Sequence, residues 1–147
     1  MAATALSFFK SFREYLGNGQ FDLDGTSVKF YMALHTSAAS ANVNNVALST
    51  QASLANEVAN GNGYATGGKS VTSRTWASAA TNKYRFDSTA CVWTATGGDV
   101  SNVKYAVIYQ SGGKLVCFSR LTSSQFTLAQ NNTLTVTPSA TGIFELT

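Results

Sequence analysis

Charge is what this 147-residue chain has least of. Asp, Glu, Lys and Arg make up 12% of it, about half the ~25% usual for a globular protein. Ten Lys and Arg against seven Asp and Glu give a formal charge of +3, but they are scattered along the chain. No basic run or face suited to nucleic acid is legible. Histidine occurs once, as His35 at the end of an apolar stretch, so no multi-histidine metal site or His-centred catalytic set is indicated and a structural role is expected. No apolar run approaches the ~20 residues of a membrane span. No basic region precedes an apolar stretch at the N-terminus, because Lys10 and Arg13 come too late for a secretory signal. A reducing cytosol is therefore the expected folding compartment. In it Cys91 and Cys117 read as small buried hydrophobes, with a disulfide as the alternative, and the "NNT" at Asn131 has no meaning as a glycosylation acceptor.

What the chain does contain is apolar residues, 44%, enough to exclude wholesale disorder, set among Ser, Thr, Asn, Gln and Gly. Residues Ala5 to Leu16, "ALSFFKSFREYL", predict a helix. Ala5, Leu6, Phe8, Phe9, Phe12, Tyr15 and Leu16 share one half of the helical wheel, with Thr4 as N-cap and Gly17 as terminator. That aromatic face is expected either to dock on the domain's own sheet or to cover a partner. Beyond it come runs rich in β-branched and aromatic residues, recurring every ten or so positions. "TSVKFYMALH" (Thr26 to His35) is the first. A polar connection follows, with a short helix near Gln51 to Val58, and then "KSVTSRTWAS", "KYRFDSTACVWTA", "NVKYAVIYQ", "KLVCFSRL", "SQFTLA", "TLTVTP" and "GIFELT". In the clearest unit Val103, Tyr105, Val107 and Tyr109 alternate along one strand and "SGGK" turns the chain. Leu115 and Cys117 are then expected on one face, with Val116 and Phe118 on the other. Pro138, the single proline, ends a strand where a lost ladder donor costs least. The reading is one domain over 1–147: an N-terminal α-helix at 1–17 and a mainly β, antiparallel domain at 26–147, of β-sandwich or jelly-roll-like form.

One stretch invites a different reading. "GYATGGKS", Gly63 to Ser70, matches the phosphate-loop pattern G-x-x-x-x-G-K-[ST] in every letter. A phosphate loop needs a buried parallel strand before it and a helix opening at the Lys-Ser pair. Here the preceding residues are polar, and those that follow, "VTSRTWAS", favour extended structure. No later apolar strand ends in an Asp that could hold Mg²⁺. The glycines are better explained as a tight loop requiring positive φ, with Tyr64 folded back as its anchor. The remaining chemistry is sparse. Asp22 and Asp24 in "DLDG" lack the other ligands of a calcium loop and suit a side-chain-to-backbone turn. Glu14, Glu57, Asp87, Asp99 and Glu145 form no carboxylate pair visible in the sequence. Cys91 and Cys117 have no base beside them. No catalytic, cofactor-binding or metal residue is assigned, and no enzyme is expected.

Three ordered stretches carry a resemblance. "EVANGNGYATGGKSV" resembles an E-V…G-x-G-Y-x-x-G-G-K pattern, "YAVIYQSGGKLVCF" a strand, turn and returning strand, and "SQFTLAQNNTLTVTPSATGIFELT" an F-T-I…G-I-x-x-L ending. All three are patterns of small virion structural proteins of tailed bacteriophages, many of them capsid decoration or cement proteins. The strand "VKFYMALHTS" after an N-terminal helix also resembles that family. The chain departs from it at Gly19 to Thr26 and at Gln110, where acidic turn residues are common. The resemblance implies a virion protein, folded and assembled in the host cytoplasm, that stabilises the head by bridging subunits of the major capsid protein. It also implies self-association, as a homotrimer at a threefold position, with neither nucleic acid nor membrane as partner. The alternative is a tail or fibre β domain gripping a host glycan or another tail protein. There Trp76, Trp93 or tyrosines would serve as stacking platforms, and the tryptophans would have to be open to solvent.

Overall fold

The strongest pattern in the sequence, the alternation after Val103, builds the centre of the molecule. In the computed structural model, which describes residues 6–25, 27–39 and 49–147, strands β8 (Tyr105–Gln110) and β9 (Lys114–Arg120) form an antiparallel hairpin. Strand β2 (Phe30–His35) pairs with the other edge of β8, from Phe30 opposite Gln110 to His35 opposite Tyr105. The short strands β1 (Ser7–Phe8) and β3 (Lys69–Ser70) complete a five-stranded sheet in the order β1-β9-β8-β2-β3. Every residue of β8 is buried, as expected of an inner strand with apolar groups on both faces.

Three smaller antiparallel sheets accompany it. Strand β4 (Thr75–Ala80) pairs with β5 (Lys83–Asp87), which pairs with β12 (Phe144–Leu146). Strand β6 (Cys91–Thr94) pairs with β11 (Thr133–Val136), and β7 (Val100–Val103) with β10 (Phe126–Leu128). The expectation of a mainly antiparallel β chain therefore holds. On one face of the five-stranded sheet Phe30, Met32, Leu34, Ala106, Ile108, Val116 and Cys117 join the main core with Trp93, Phe86 and Phe144. On the other face Ala33, Tyr105, Val107, Tyr109, Leu115 and Phe118 gather around Phe9 and Leu54.

The N-terminal helix is shorter than its periodicity predicts. Ser7 and Phe8 are extended and pair with Phe118 and Cys117, the Phe9 N–H donates to the Val116 carbonyl at 3.1 Å, and the helix α1 runs only over Lys10–Gly17. Sheet pairing thus overrides helix propensity in the first turn, a common outcome where propensities differ by tenths of a kcal/mol. Thr4 and Ala5 lie outside the described residues. Phe9 occupies the N-cap position and offers no side-chain acceptor. Gly17 is the last helical residue, and the left-handed position falls two residues later, at Gly19 (φ +65°). The aromatic face docks on the domain's own sheets: Phe9 and Phe12 are buried, Phe8 stacks on Phe12 at 4.8 Å, and Phe8 and Phe12 both meet Phe144 edge-on.

Other expectations are corrected. Leu115 sits with Phe118 on one face, whereas Val116 and Cys117 both face the main core. The pairing steps from Ile108↔Cys117 to Tyr109↔Leu115, so Val116 is an extra residue in β9 and a β-bulge reverses the alternation there. The run Lys69 to Ser78 is two strands, β3 and β4, and not one. The run "KYRFDSTACVWTA" is likewise two strands, β5 and β6, and "NVKYAVIYQ" holds the end of β7 and all of β8. Val103 therefore belongs to β7, pairs with Phe126 and faces the main core, and does not alternate along one strand with Tyr105, Val107 and Tyr109. A short helix α2 (Gln51–Leu54) stands where one was expected near Gln51 to Val58, capped by the Thr50 side chain. Thr26, the expected start of the first strand, lies outside the described residues, and the strand itself begins only at Phe30, because Ser27 to Lys29 are not extended into the sheet.

Candidate interaction surface

The glycine-rich loop does not have the geometry of a phosphate site. Gly61 and Tyr64 exchange two backbone hydrogen bonds, of 2.8 and 2.9 Å, which closes a tight turn. Gly61, Gly63, Gly67 and Gly68 all have positive φ, as expected where only glycine is unstrained. Lys69 and Ser70 open no helix; they form β3, antiparallel to β2, and are exposed. Tyr64 is folded back as the anchor, 2% exposed. Its hydroxyl donates to Glu57 Oε1 at 2.6 Å and accepts from the Leu34 N–H at 3.0 Å.

Glu57 is the organising group of this loop. The Gly67 N–H donates to Oε1 at 2.6 Å and Gln51 Nε2 to Oε2 at 2.9 Å, while the Tyr109 hydroxyl donates to the Gly67 carbonyl at 2.7 Å. The loop amide that a phosphate would need is already bonded to a carboxylate of the chain itself. Burial together with the bond to Glu57 raises the Tyr64 phenol above its ordinary value, and burial raises that of Tyr109. In the sequence Glu57 stands apart from the other acids and opens the "EVANGNGYATGGKSV" stretch. The one signal for its role was its place ahead of the glycines, seven positions before Tyr64.

His35 is structural in its surroundings. It is fully buried, and Nδ1 lies 2.9 Å from the Ala55 carbonyl, so the imidazole carries its proton there and Nε2, which has no partner among the described residues, is unprotonated. Burial lowers its pKa below 6.5, opposed more weakly by the Ala55 carbonyl and the Glu57 charge. A lowered folded-state pKa means the unfolded chain binds the proton first. Stability is thus at its plateau above about pH 6.5 and falls as the pH drops below it, by up to about 1.4 kcal/mol per pH unit until the folded-state pKa is reached. Melting temperatures measured from pH 7.5 down to pH 5 are expected to decline in the native chain and to decline less in His35→Gln. Parallel curves would refute the assignment.

The other flagged residues also serve the fold. Asp22 Oδ1 accepts from the Gly25 N–H at 2.8 Å, the expected side-chain-to-backbone turn. Asp99 Oδ1 accepts from the Gln130 N–H, and Glu145 takes two bonds from Arg85, at 3.0 and 2.8 Å. Cys91 and Cys117 are buried free thiols, and burial raises the pKa of both. Among the described residues no group of three His, Cys, Asp or Glu is placed to hold a metal ion, and no helix is long and apolar enough to cross a membrane. A cavity of about 550 Å³ lies between Phe8, Met32 and Ile108 on one side and Val136 and Phe144 on the other. Of the flagged residues it touches only Cys117 and Glu145.

One edge open to a macromolecule is that of the β4–β5 hairpin. In β4 only Trp76 is even half-buried, and the other five residues, Thr75 and Ala77 to Ala80, are exposed. Among the described strands β4 pairs only with β5, so its outer edge presents unpaired main-chain groups. That edge carries neither charge nor proline, two of the usual protections against pairing. Trp76 packs on Tyr84 at 5.3 Å, and Tyr84 is 50% exposed. Trp93, by contrast, is fully buried and cannot act as a stacking platform for a glycan. No protein-family model, curated protein or solved structure matches the chain.

Proposed function

We propose that the chain is a structural protein of a tailed-phage virion. In this reading it decorates the capsid, binds the major capsid protein and stabilises the head by bridging its subunits. Its smaller sheets lie over the five-stranded sheet as the second layer of a β-sandwich or jelly-roll-like body, and the β4–β5 hairpin is its assembly element. The observation that carries the reading is the bare, uncharged edge of β4, a surface suited to main-chain pairing. The polar groups Glu57, Tyr64 and His35 Nδ1 are meanwhile bonded within the fold. The ordered resemblance of three stretches to virion proteins points the same way. Quantitative mass spectrometry of gradient-purified virions tests it. Copy numbers on the scale of the major capsid protein support decoration, and absence from virions sinks it.

The Trp76–Tyr84 pair favours a second reading, a tail or fibre domain that stacks a host glycan on this partly open aromatic surface. Binding on a glycan array that disappears in Tyr84→Ala would establish it, and an array without hits would remove it.

A further inference from the structure

The geometry points to a second copy of this chain as the occupant of the β4 edge. The two strands would pair antiparallel about a twofold axis at Ala77 and join two three-stranded sheets into one of six. This rests on the hairpin being the assembly element and names its partner.

Within one copy Ser78 lies opposite Tyr84 and Leu146, Trp76 opposite Phe86 and Phe144, and Ala77 opposite Arg85 and Glu145. A twofold axis at Ala77, perpendicular to the sheet, places Ala77 against its own counterpart and Ser78 against Trp76 of the other copy. Each indole then lies one strand further from the half-exposed Tyr84 of the other copy. The two indoles become diagonal neighbours across the junction, which removes apolar surface from water.

Self-pairing places like residues together, so charge decides whether it is tolerated. The strand itself contributes none: Thr75, Trp76, Ala77, Ser78, Ala79 and Ala80 are all neutral. The nearest cation in the central row is Arg85, one strand back, and it is held by Glu145 through two hydrogen bonds of 3.0 and 2.8 Å. Lys83 lies 3.8 Å from the same carboxylate. Each copy thus neutralises its own row before the second approaches. The small side chains at Ala77 and Ser78 also let two main chains come to ladder distance without collision. Such a contact is isologous and closes at two copies, in place of the threefold ring implied by the family resemblance.

The purified chain in solution decides this, independently of whether virions contain it. Light scattering coupled to size exclusion is expected to give the mass of two chains. Ala77→Glu puts two carboxylates opposite each other at the axis while leaving each beside its own Arg85. It should raise the dimer dissociation constant by up to about fivefold with an unchanged circular dichroism spectrum. Ala77→Cys should form an inter-chain disulfide on mild oxidation, and Ser101→Cys, on the exposed part of β7, should not. A monomeric native chain, a trimer, a dimer indifferent to Ala77→Glu, or cross-linking as efficient at Ser101 as at Ala77 would each overturn the inference. A virion that contains the protein as isolated monomers would overturn it while leaving the decoration role intact.

Discussion

Gly68→Ala is expected to destabilise the folded chain by about 3–5 kcal/mol, among the larger effects a single methyl group can have. Gly68 has φ +72°, a left-handed conformation that costs an alanine about 1–2 kcal/mol. The larger part is steric. A Cβ there would lie 2.0 Å from the Met32 carbonyl oxygen and 2.6 Å from the Ala33 Cα, both main-chain atoms of a strand inside the five-stranded sheet. Neither can move without parting β3 from β2 and pulling Gly67 from the Tyr109 hydroxyl. Gly97→Ala separates the two contributions, because Gly97 also has positive φ (+81°) but nothing lies within 4 Å of its Cβ position. Urea unfolding midpoints should fall far more for Gly68→Ala than for Gly97→Ala. Lys69→Ala, at an exposed position, should stay within about 0.5 kcal/mol of the native chain. If the lysine substitution proved the costly one and the glycine substitution mild, the loop would not be the structural turn described here.

Trp93→Ala is the second large effect, with an expected loss of about 3–5 kcal/mol and a fall in Tm of about 10 °C or more for a domain of this size. Trp93 is fully buried in the main core and lies opposite Leu134 on the neighbouring strand. Its deletion leaves a cavity beneath the β6–β11 pair that rigid ladders cannot collapse to fill. Its indole N–H has no partner among the described residues, so Trp93→Phe removes an unsatisfied donor along with volume and should cost less than alanine. Differential scanning calorimetry checks the order. The chain has two tryptophans, so fluorescence gives a second reading: without Trp93 only the half-buried Trp76 emits, and the spectrum should move to the red. A Tm within a few degrees of the native value would mean that Trp93 is not the core residue its burial makes it.

These two residues also mark how much of the molecule could be read in advance. Gly68 was legible because a run of glycines flanked by polar residues has few uses other than positive φ, and Tyr64 was legible as its anchor. The strands of β8 and β9 followed from alternation, and the buried cysteines from their apolar neighbours. The bulge at Val116 was not legible, since one extra residue leaves composition and hydrophobicity untouched and shows only in which carbonyl meets which N–H. The start of α1 was lost for the opposite reason. Phe8 and Phe9 satisfy a helical wheel, but the backbone at Ser7 and Phe8 gains more from pairing with β9. Glu57 escaped because its partners, the Tyr64 hydroxyl, the Gly67 amide and Gln51, converge only after the loop has closed. The β4 edge was hidden for a related reason: a strand's pattern tells which face is apolar, but not whether a neighbour will sit beside it.

The contact between Phe8 and Phe144, 5.1 Å between ring centres, has a consequence for synthesis. Ser7 and Phe8 leave the ribosome long before Cys117 and Phe118, against which they pair, and before Phe144, against which the Phe8 ring packs. At about 5–20 residues per second the N-terminal segment waits several seconds for its partners, with its aromatic side chains unsheltered. A segment made well before its partners is thus secured only after them. A translation pause between Phe12 and Phe144 would prolong the interval in which Phe8, Phe9 and Phe12 are open to chaperones or to aggregation.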